Sequence, residues 1–407
     1  TFSGAVKLND PLGTAYKLQD YAQAFGLQAL MQGVTPVVLS VVLAMLEFSV
    51  GIYLLFGIRR RRTSILALAF MLAFTPLTLY LAVANPVRDC GCFGDALVLT
   101  NWQTFWKNVV LLAAAILLVC KTRLMTRLIT ERHQWTVSLC TWAFSLIFAG
   151  MSLYGLPPID FLPYRIGVNL REKLAERDAA QGQTKTYFIM EKNGERREFA
   201  TEDYPDSTWT YIDTRVEGTQ SSAESPYADF CMQTADGEDL TGEVMQDTSY
   251  VFLLLSPYLE QADDGVLDII TSAYDYAQEH GYRFYCLTSS GRETIATWQE
   301  MTGAEYPFLF TDGIVLKTMI RSNPGLMLLH DGRITGKWPS TGMPDLTEEV
   351  RPLEQTEWGA LEGPSRMERL LTILFRYVLP LLACTLADRL WVAWKLRKRH
   401  KPNTNSK

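Results

Sequence analysis

The stretch RDCGCFGD, residues Arg88–Asp95, decides how the first third of the chain is interpreted. It contains two cysteines, Cys90 and Cys92, separated by one glycine, and it lies between two long apolar runs. A cysteine pair at this spacing predicts a redox-active disulfide, a bond that only shapes a loop, or unpaired thiols that pack or bind metal. The surrounding sequence determines how these three alternatives are weighed.

Five apolar runs predict a membrane protein, because each is long enough to cross about 30 Å of hydrocarbon as a helix. They are Val34–Ile58, Ile65–Ala84, Trp102–Cys120, Trp135–Leu156 and Leu370–Trp394. From about residue 160 to residue 365 the sequence is polar and acid-rich, which predicts a large aqueous domain. With 407 residues, the chain is expected to form two or three domains.

The beginning of the sequence, TFSGAVKLNDPLG, has the pattern of a helix leaving a membrane. We therefore expect that most of a first spanning helix is missing from it. No cleavable signal peptide is visible, so the spanning helices themselves would direct the protein to the membrane.

Charge and histidine content argue against two classes of function. The formal net charge of -6 does not favour nucleic-acid binding, which needs a basic face. Four scattered histidines provide no metal-binding pattern, so we predict no metal. They are His133, His280, His330 and His400.

Basic clusters in the connections predict the orientation in the membrane. Three of them, Arg59–Arg62, Lys121–His133 and Lys395–Lys401, can all be cytoplasmic if the helices alternate. The RDCGCFGD loop and the polar domain then face the outer side.

The polar domain is predicted to contain strands alternating with helices, which indicates a three-layer α/β fold. Val251–Leu255 has the pattern of a buried central strand, and Gly325–Trp338 that of a hairpin turned at Asp331-Gly332. Between them, helices are predicted at Val266–His280 and Arg292–Met301, and strands at Tyr282–Ser289 and Tyr306–Asp312.

This order resembles a thioredoxin fold, over about Tyr227–Met343. Asp229–Met245 is similar to the segment before the first core strand of TlpA-type and peroxiredoxin-type members. Asn323-Pro324 stands where that family has a cis-proline. Redox-active members carry C-x-x-C after the first core strand, but here the sequence is SPYLEQADD, Ser256–Asp264, without a cysteine. The low-pKa thiolate needed for exchange is thus absent there, and we expect a binding module.

Two further cysteines of this region, Cys231 and Cys286, are expected in strands as buried small side chains. Before it, Lys185–Ala200 predicts a hairpin turned at Asn193-Gly194, DSTWTYIDTRVEG a further strand, and Glu217–Pro226 a linker. The predicted domains are a membrane bundle at 1–156, a β-rich segment at 157–225, the thioredoxin-like domain at 226–344, and a last span with a basic tail at 345–407.

The membrane half resembles the DoxX/MauE group of helical bundles, over about Phe2–Arg123. Three stretches carry the resemblance: FSGAVKLNDPLG (Phe2–Gly13), LEFSVGIYLLFG (Leu46–Gly57) and DCGCFGD. Fusions of such a bundle to a degenerate thioredoxin-like domain are typical of Bacteroidota envelope proteins. MauE is implicated, beside a thioredoxin-like partner, in maturing a disulfide-rich protein, so the resemblance implies a similar pairing within this chain in a bacterial inner membrane.

The chemistry of the cysteine pair can also be considered from the residues. Cys90 and Cys92 would face a compartment where disulfides persist, and a ring closed over one glycine should be strained and easily reduced. Arg88 would favour the thiolate, whereas Asp89 and Asp95 would oppose it. A redox-active pair, a structural bond, and unpaired or metal-binding thiols remain open.

Glu47 is the other candidate site residue, since it lies near the middle of the first run. It is expected either to be protonated and hydrogen-bonded to a neighbouring helix, or to handle protons or a quinone. Cys120, Cys140 and Cys384 are expected to pack. Tyr16–Leu30 has an amphipathic pattern and is expected to lie along the outer interface, with its aromatic rings at headgroup level.

The sequence therefore predicts an inner-membrane protein that supports thiol–disulfide chemistry through the CGCFG loop. Its partners would be a periplasmic or envelope protein and the lipid bilayer, with no nucleic acid; no cofactor is evident, and a quinone stays open. The alternative is a non-enzymatic scaffold subunit of an envelope complex. A small-molecule carrier using Glu47 is less favoured, because no half-repeat of the transporter kind is visible.

Overall fold

The computed structural model describes residues 1–87, 90–182, 185–192, 195–200, 210–217, 225–360 and 365–399. The chain divides into two compact units. The first, the membrane unit, comprises Thr1–Phe161 with Gly363–Lys407, and the second, the α/β unit, comprises Leu162–Glu362.

The membrane unit is helical, and five of its helices are long and apolar enough to cross a bilayer. Its helices are α1 (Phe2–Asn9), α2 (Pro11–Ala24), α3 (Thr35–Phe56), α4 (Arg60–Ala84), α5 (Asn101–Cys120), α6 (Gln134–Tyr154) and α12 (Arg366–Arg399). The last five of these are the spans, so the prediction of five spanning helices is confirmed. The ends are locally encoded: Thr100 forms a capping box at the start of α5, and Gly57 ends α3 in the left-handed region.

Two connections and the helix α12 meet at one end of the membrane unit. The amide of Leu128, in the α5–α6 connection, donates to the carbonyl oxygen of Phe56 at the end of α3, 3.2 Å away. In the same connection, the amide of Thr130 donates to Asp388 of α12 at 3.0 Å. His133 lies 2.6 Å from the same carboxylate. The segments that carry the basic clusters are therefore neighbours in space.

The α/β unit contains a mixed five-stranded sheet. Its strands are β4 (Tyr250–Ser256), β5 (Arg283–Thr288), β6 (Phe308–Phe310), β7 (Gly325–His330) and β8 (Arg333–Pro339), in the order β6-β5-β4-β7-β8. β5 pairs in parallel with both β4 and β6. β7 pairs antiparallel with β4, and β8 pairs antiparallel with β7. The peptide bond Asn323-Pro324 is cis, and Asp331 and Gly332 have φ values of 49° and 70°.

These features confirm the predicted thioredoxin-like topology. Helices α9 (Leu267–Glu279) and α10 (Arg292–Thr302) provide the crossovers between the parallel strands, and α8 (Thr241–Gln246) and α11 (Gly313–Met319) complete the layers. All seven residues of β4 are buried, as expected for a central strand covered on both faces. The segment after β8 adds Leu346 and Leu353 to the same core.

A second sheet has three strands, β1 (Lys185–Lys192), β2 (Glu195–Ala200) and β3 (Thr210–Glu217), in the order β2-β1-β3. The predicted turn Asn193-Gly194 and most of the predicted linker Glu217–Pro226 lie outside the described residues. The helix α7 (Leu170–Gly182) was not predicted, although its sequence LREKLAERDAAQG is composed largely of good helix formers.

Candidate functional site

The loop that contains the two cysteines, residues 90–96 and called here the CGC loop, folds back along α5. Cys90 and Cys92 are joined by a disulfide bond, and both residues are half-buried. The ring of Phe93 lies 5.4 Å from that of Phe2 in α1, and the ammonium of Lys107 lies 4.4 Å from the centre of the Phe93 ring. Because Lys107 belongs to the second turn of α5, this part of the loop lies beside that helix.

Each carbonyl oxygen from residue 90 to residue 93 accepts a hydrogen bond. The donors are the Tyr21 hydroxyl to Cys90 (2.5 Å), the Gly94 amide to Gly91 (3.1 Å), the Ser3 hydroxyl to Cys92 (2.7 Å) and the Ala96 amide to Phe93 (3.3 Å). Backbone polar groups that are withdrawn from water need hydrogen-bond partners within the protein. The loop meets that requirement with two side chains from outside its own sequence, one from α1 and one from α2.

The glycine between the cysteines is favoured by its backbone conformation and by close packing against α2. Gly91 has a φ of 61°, in the left-handed region that side chains disfavour. A Cβ atom added there would lie 3.0 Å from Cγ of Lys17 in α2. The C-G-C spacing is therefore matched to close packing between the loop and α2.

Glu47 lies next to this loop, which sequence reasoning did not anticipate. Its Oε1 is 2.6 Å from Nζ of Lys7, and its Oε2 accepts a hydrogen bond of 2.8 Å from the Ser3 hydroxyl. The side chains of Lys7 and Glu47 are 8% and 15% exposed. The same Ser3 hydroxyl contacts Cys92, so a single side chain joins the two predicted candidate sites.

Four residues of this site were missed from the sequence: Ser3, Lys7, Tyr21 and Lys107. Ser3 and Lys7 are spaced i, i+4 and so share one face of α1, a signal that a polar face meets a partner inside the bundle. Tyr21 lies in the amphipathic stretch expected at the outer interface, but its hydroxyl bonds to Cys90. The Tyr21 side chain therefore supports the loop, a role that amphipathic periodicity does not reveal.

In the α/β unit, the position of the missing C-x-x-C is occupied by a hydrogen-bonded network. The hydroxyl of Ser256 donates to Asn323 Oδ1 at 2.7 Å, and the amide group of Asn323 donates to the Tyr258 carbonyl oxygen at 2.8 Å. The Ser289 hydroxyl donates to the Pro257 carbonyl oxygen at 2.5 Å. Asn323, the residue before the cis-proline, is thus hydrogen-bonded to the end of β4. Redox-active members of the thioredoxin-like group carry a cysteine thiol just after this strand.

The two cysteines of the α/β unit do not replace the missing motif. Cys286 lies in β5 and is fully buried, as expected. Cys231 was also expected in a strand; that expectation was wrong, because it lies outside the named strands in a half-buried segment before Gln233. Burial raises the pKa of both thiols, which keeps them protonated and poorly nucleophilic.

The other cysteines of the membrane unit, Cys120, Cys140 and Cys384, carry free thiols. Within the described parts of the chain, His, Cys, Asp and Glu side chains form no group of three or more suited to a metal ion. The Cys90–Cys92 bond is therefore the one disulfide among the described residues, and the CGC loop is the candidate site.

Comparison with known families places the same loop inside a recognised region. Residues 1–121 match the family described as methylamine utilisation protein MauE. This N-terminal region is MauE-like. The match spans α1 to the end of α5 and contains the CGC loop, Ser3, Lys7 and Glu47, which confirms the resemblance inferred from the sequence. Residues 184–217 match a domain of unknown function, DUF8463, which covers the second sheet.

Comparisons of structures and of curated proteins add less. A solution structure of a protein assigned as a disulfide isomerase from Bacteroides thetaiotaomicron aligns with 14% identity and a TM-score of 0.24, covering 28% of this chain and 76% of that one. The crystal structure of StoA from Bacillus subtilis aligns with 17% identity and a TM-score of 0.23, covering 27% and 87%. A search of curated proteins found no match. Scores this low add no argument to the strand order described above.

Proposed function

We propose that this protein is a bacterial inner-membrane component of thiol–disulfide chemistry, in which Cys90 and Cys92 exchange electrons with a protein of the cell envelope. The observation that carries the proposal is the Cys90–Cys92 bond in a loop where side chains of α1 and α2 donate hydrogen bonds to the carbonyl oxygens of both cysteines. These hydrogen bonds hold the half-buried disulfide in one position, which favours a role in which the bond opens and re-forms in a single geometry. The MauE-like region contains every residue of this arrangement.

The exchange that we propose is balanced between the two proteins. A client thiolate attacks one sulfur of the Cys90–Cys92 bond, that bond breaks, and a mixed disulfide forms. The second client thiolate then attacks the mixed disulfide and releases the client in its oxidised form. The client dithiol loses two electrons and two protons, and Cys90 and Cys92 gain them as two thiols.

The α/β unit would bind the client or a partner and leave the chemistry to the loop. Its thioredoxin-like fold has Ser256, Pro257 and Tyr258 at the position of the usual motif, with no thiol among them. Its cysteines Cys231 and Cys286 are held protonated by burial. The basic clusters favour placing this unit and the CGC loop on the periplasmic side.

Trapping of mixed disulfides tests the proposal. Cells that express Cys92→Ser or Cys90→Ser are treated with acid to quench exchange, and proteins attached to the remaining cysteine are identified by mass spectrometry. We expect one of these variants to accumulate a client adduct that reductant releases, and client thiols to shift toward the reduced state. Cys120→Ser, at an exposed thiol outside the loop, serves as the matched control.

The competing function is a scaffold in which the bond only shapes the loop. It predicts no adduct in either variant, unchanged client thiols and a lower melting temperature. That result would contradict the exchange function and would favour the scaffold.

A further inference from the structure

The Lys7–Glu47 ion pair lies in the interior of the membrane unit, near the CGC loop. Both side chains are largely buried, and 2.6 Å separates their charged atoms. Taking two charges out of water is costly, and an ionisable residue within a spanning helix, as Glu47 is in α3, marks a candidate functional site by default. Neither Lys7 nor Glu47 takes part in the exchange of electrons between sulfur atoms proposed above.

The pair is connected to the loop by one hydroxyl group. Ser3 Oγ lies 2.8 Å from Oε2 of Glu47 and 2.7 Å from the carbonyl oxygen of Cys92. Ser3 has one proton to donate, so the carboxylate and the carbonyl group share it. A change in the charge of Glu47 is therefore felt directly at the backbone of a redox cysteine.

Other charged groups surround the same place. Lys107 of α5 interacts electrostatically with both members of the pair, and its ammonium lies over Phe93 of the loop. Lys17 of α2 packs against Gly91, and Asp95 follows in the loop. The remaining loop charges, at positions 88 and 89, lie outside the described residues. Lys7 is the cation that pairs directly with Glu47. Without it, the uncompensated carboxylate would lie one hydroxyl group away from the carbonyl oxygen of Cys92.

We propose that Lys7 and Glu47 are positioning residues that set the local charge beside Cys90 and Cys92, and thereby the fraction of thiolate in the reduced protein. A nearby cation favours a thiolate and a nearby anion disfavours it. Lys7 offsets Glu47, so the site keeps the hydrogen-bonding carboxylate without its full repulsion. This inference rests on the proposed exchange function, because it concerns the nucleophile of that exchange.

The test measures thiolate formation without any client. Purified full-length protein is fully reduced, and the rate of iodoacetamide alkylation at Cys90 and Cys92 is followed by mass spectrometry from pH 5 to 10. We expect Lys7→Met to move the midpoint of this profile to higher pH by up to about one unit, because it leaves the Glu47 carboxylate uncompensated and a nearby anion disfavours the thiolate. Glu47→Gln, which retains a hydrogen-bond partner for Ser3, should move it to lower pH.

The double variant Lys7→Met/Glu47→Gln removes both charges and should return the midpoint close to that of the wild type. Glu131→Gln is the matched control, because its ion pair with Arg127 joins residues of the α5–α6 connection, and it should leave the profile unchanged. Displacements in opposite directions cannot come from a general loosening of the loop, which would move all variants alike. Unmoved midpoints, or shifts of one sign in both single variants, would overturn the inference.

The alkylation test of Lys7 and Glu47 and the trapping test of the proposed function can fail independently of each other. If the midpoints shift as expected but no client adduct forms in Cys90→Ser or Cys92→Ser cells, the charge effect stands and the exchange function fails. If adducts form and the midpoints do not move, the exchange function stands and the role assigned to Lys7 and Glu47 is wrong.

Discussion

Lys7 and Glu47 form an ion pair, with 2.6 Å between Nζ and Oε1, that fastens α1 to the middle of α3. Removing one member of a buried pair leaves the other charge uncompensated, which typically costs about 3–5 kcal/mol, whereas removing both is often much less harmful. We therefore expect Lys7→Met to lower the thermal stability of the detergent-solubilised protein more than Lys7→Met/Glu47→Gln does. A double variant at least as unstable as the single one would show that the pair is not buried against α3 as described.

The second prediction concerns the two side chains that hold the loop from outside. Tyr21→Phe and Ser3→Ala each remove one hydrogen bond to a cysteine carbonyl group, a loss of about 1 kcal/mol. We expect the Cys90–Cys92 bond to be reduced several-fold faster by dithiothreitol in either variant, because the loop opens more often. Tyr80→Phe changes the same kind of ring outside this contact and should leave the rate unchanged. Equal rates in all three variants would contradict the assigned hydrogen bonds.

Features of this molecule that local sequence patterns encode could be predicted, whereas features that depend on contacts between distant segments could not. The five spans and the α/β topology follow from local patterns: apolar runs of bilayer length, a buried β4, and the turn at Asp331-Gly332. The link from Glu47 through Ser3 to the CGC loop depends on α1 packing along α3, a long-range event that no periodicity encodes. Tyr21 was assigned to the interface for the same reason, since amphipathic patterns specify a face without specifying the partner.

The third prediction concerns orientation. If the basic clusters are cytoplasmic, a cysteine introduced at Met301, which is 71% exposed in the α/β unit, should react with an impermeant maleimide in intact spheroplasts. A cysteine at Leu124, 77% exposed in the α5–α6 connection, should react only after permeabilisation. Both are introduced in a Cys120→Ser background, because that native thiol is exposed. The reverse pattern of labelling would invert the topology.

The fourth prediction concerns alkaline pH. Burial raises the pKa of the Cys286 thiol in the folded α/β unit, whereas an unfolded thiol ionises near about 8.5. The unfolded state therefore releases its proton first. The stabilisation is fully present below about pH 8.5 and is lost as the pH rises above it, by about 1 kcal/mol per thiol up to pH 9.5. Thermal melts of the purified protein should record this loss. Cys286→Ala, although less stable at neutral pH, should show a flatter dependence over that interval, and an equal slope would contradict the assignment.

The last prediction concerns the close approach of α1 to α3, on which the whole site depends. A Cβ atom added at Gly4 would lie 2.8 Å from Cα of Phe48 and 2.9 Å from the carbonyl oxygen of Ala44, and backbone atoms cannot yield as a flexible side chain can. Gly4→Ala should therefore push α1 away from α3, separate Ser3 from Glu47, and both lower the melting temperature and accelerate reduction of Cys90–Cys92. Gly150→Ala is the matched control, because Gly150 also lies in a spanning helix but a Cβ there would meet nothing within 4 Å. Since alanine favours a helix over glycine, the control should be neutral or slightly stabilising. If Gly4→Ala behaved like Gly150→Ala, the packing of α1 on α3 could not be what brings Glu47 to the disulfide loop.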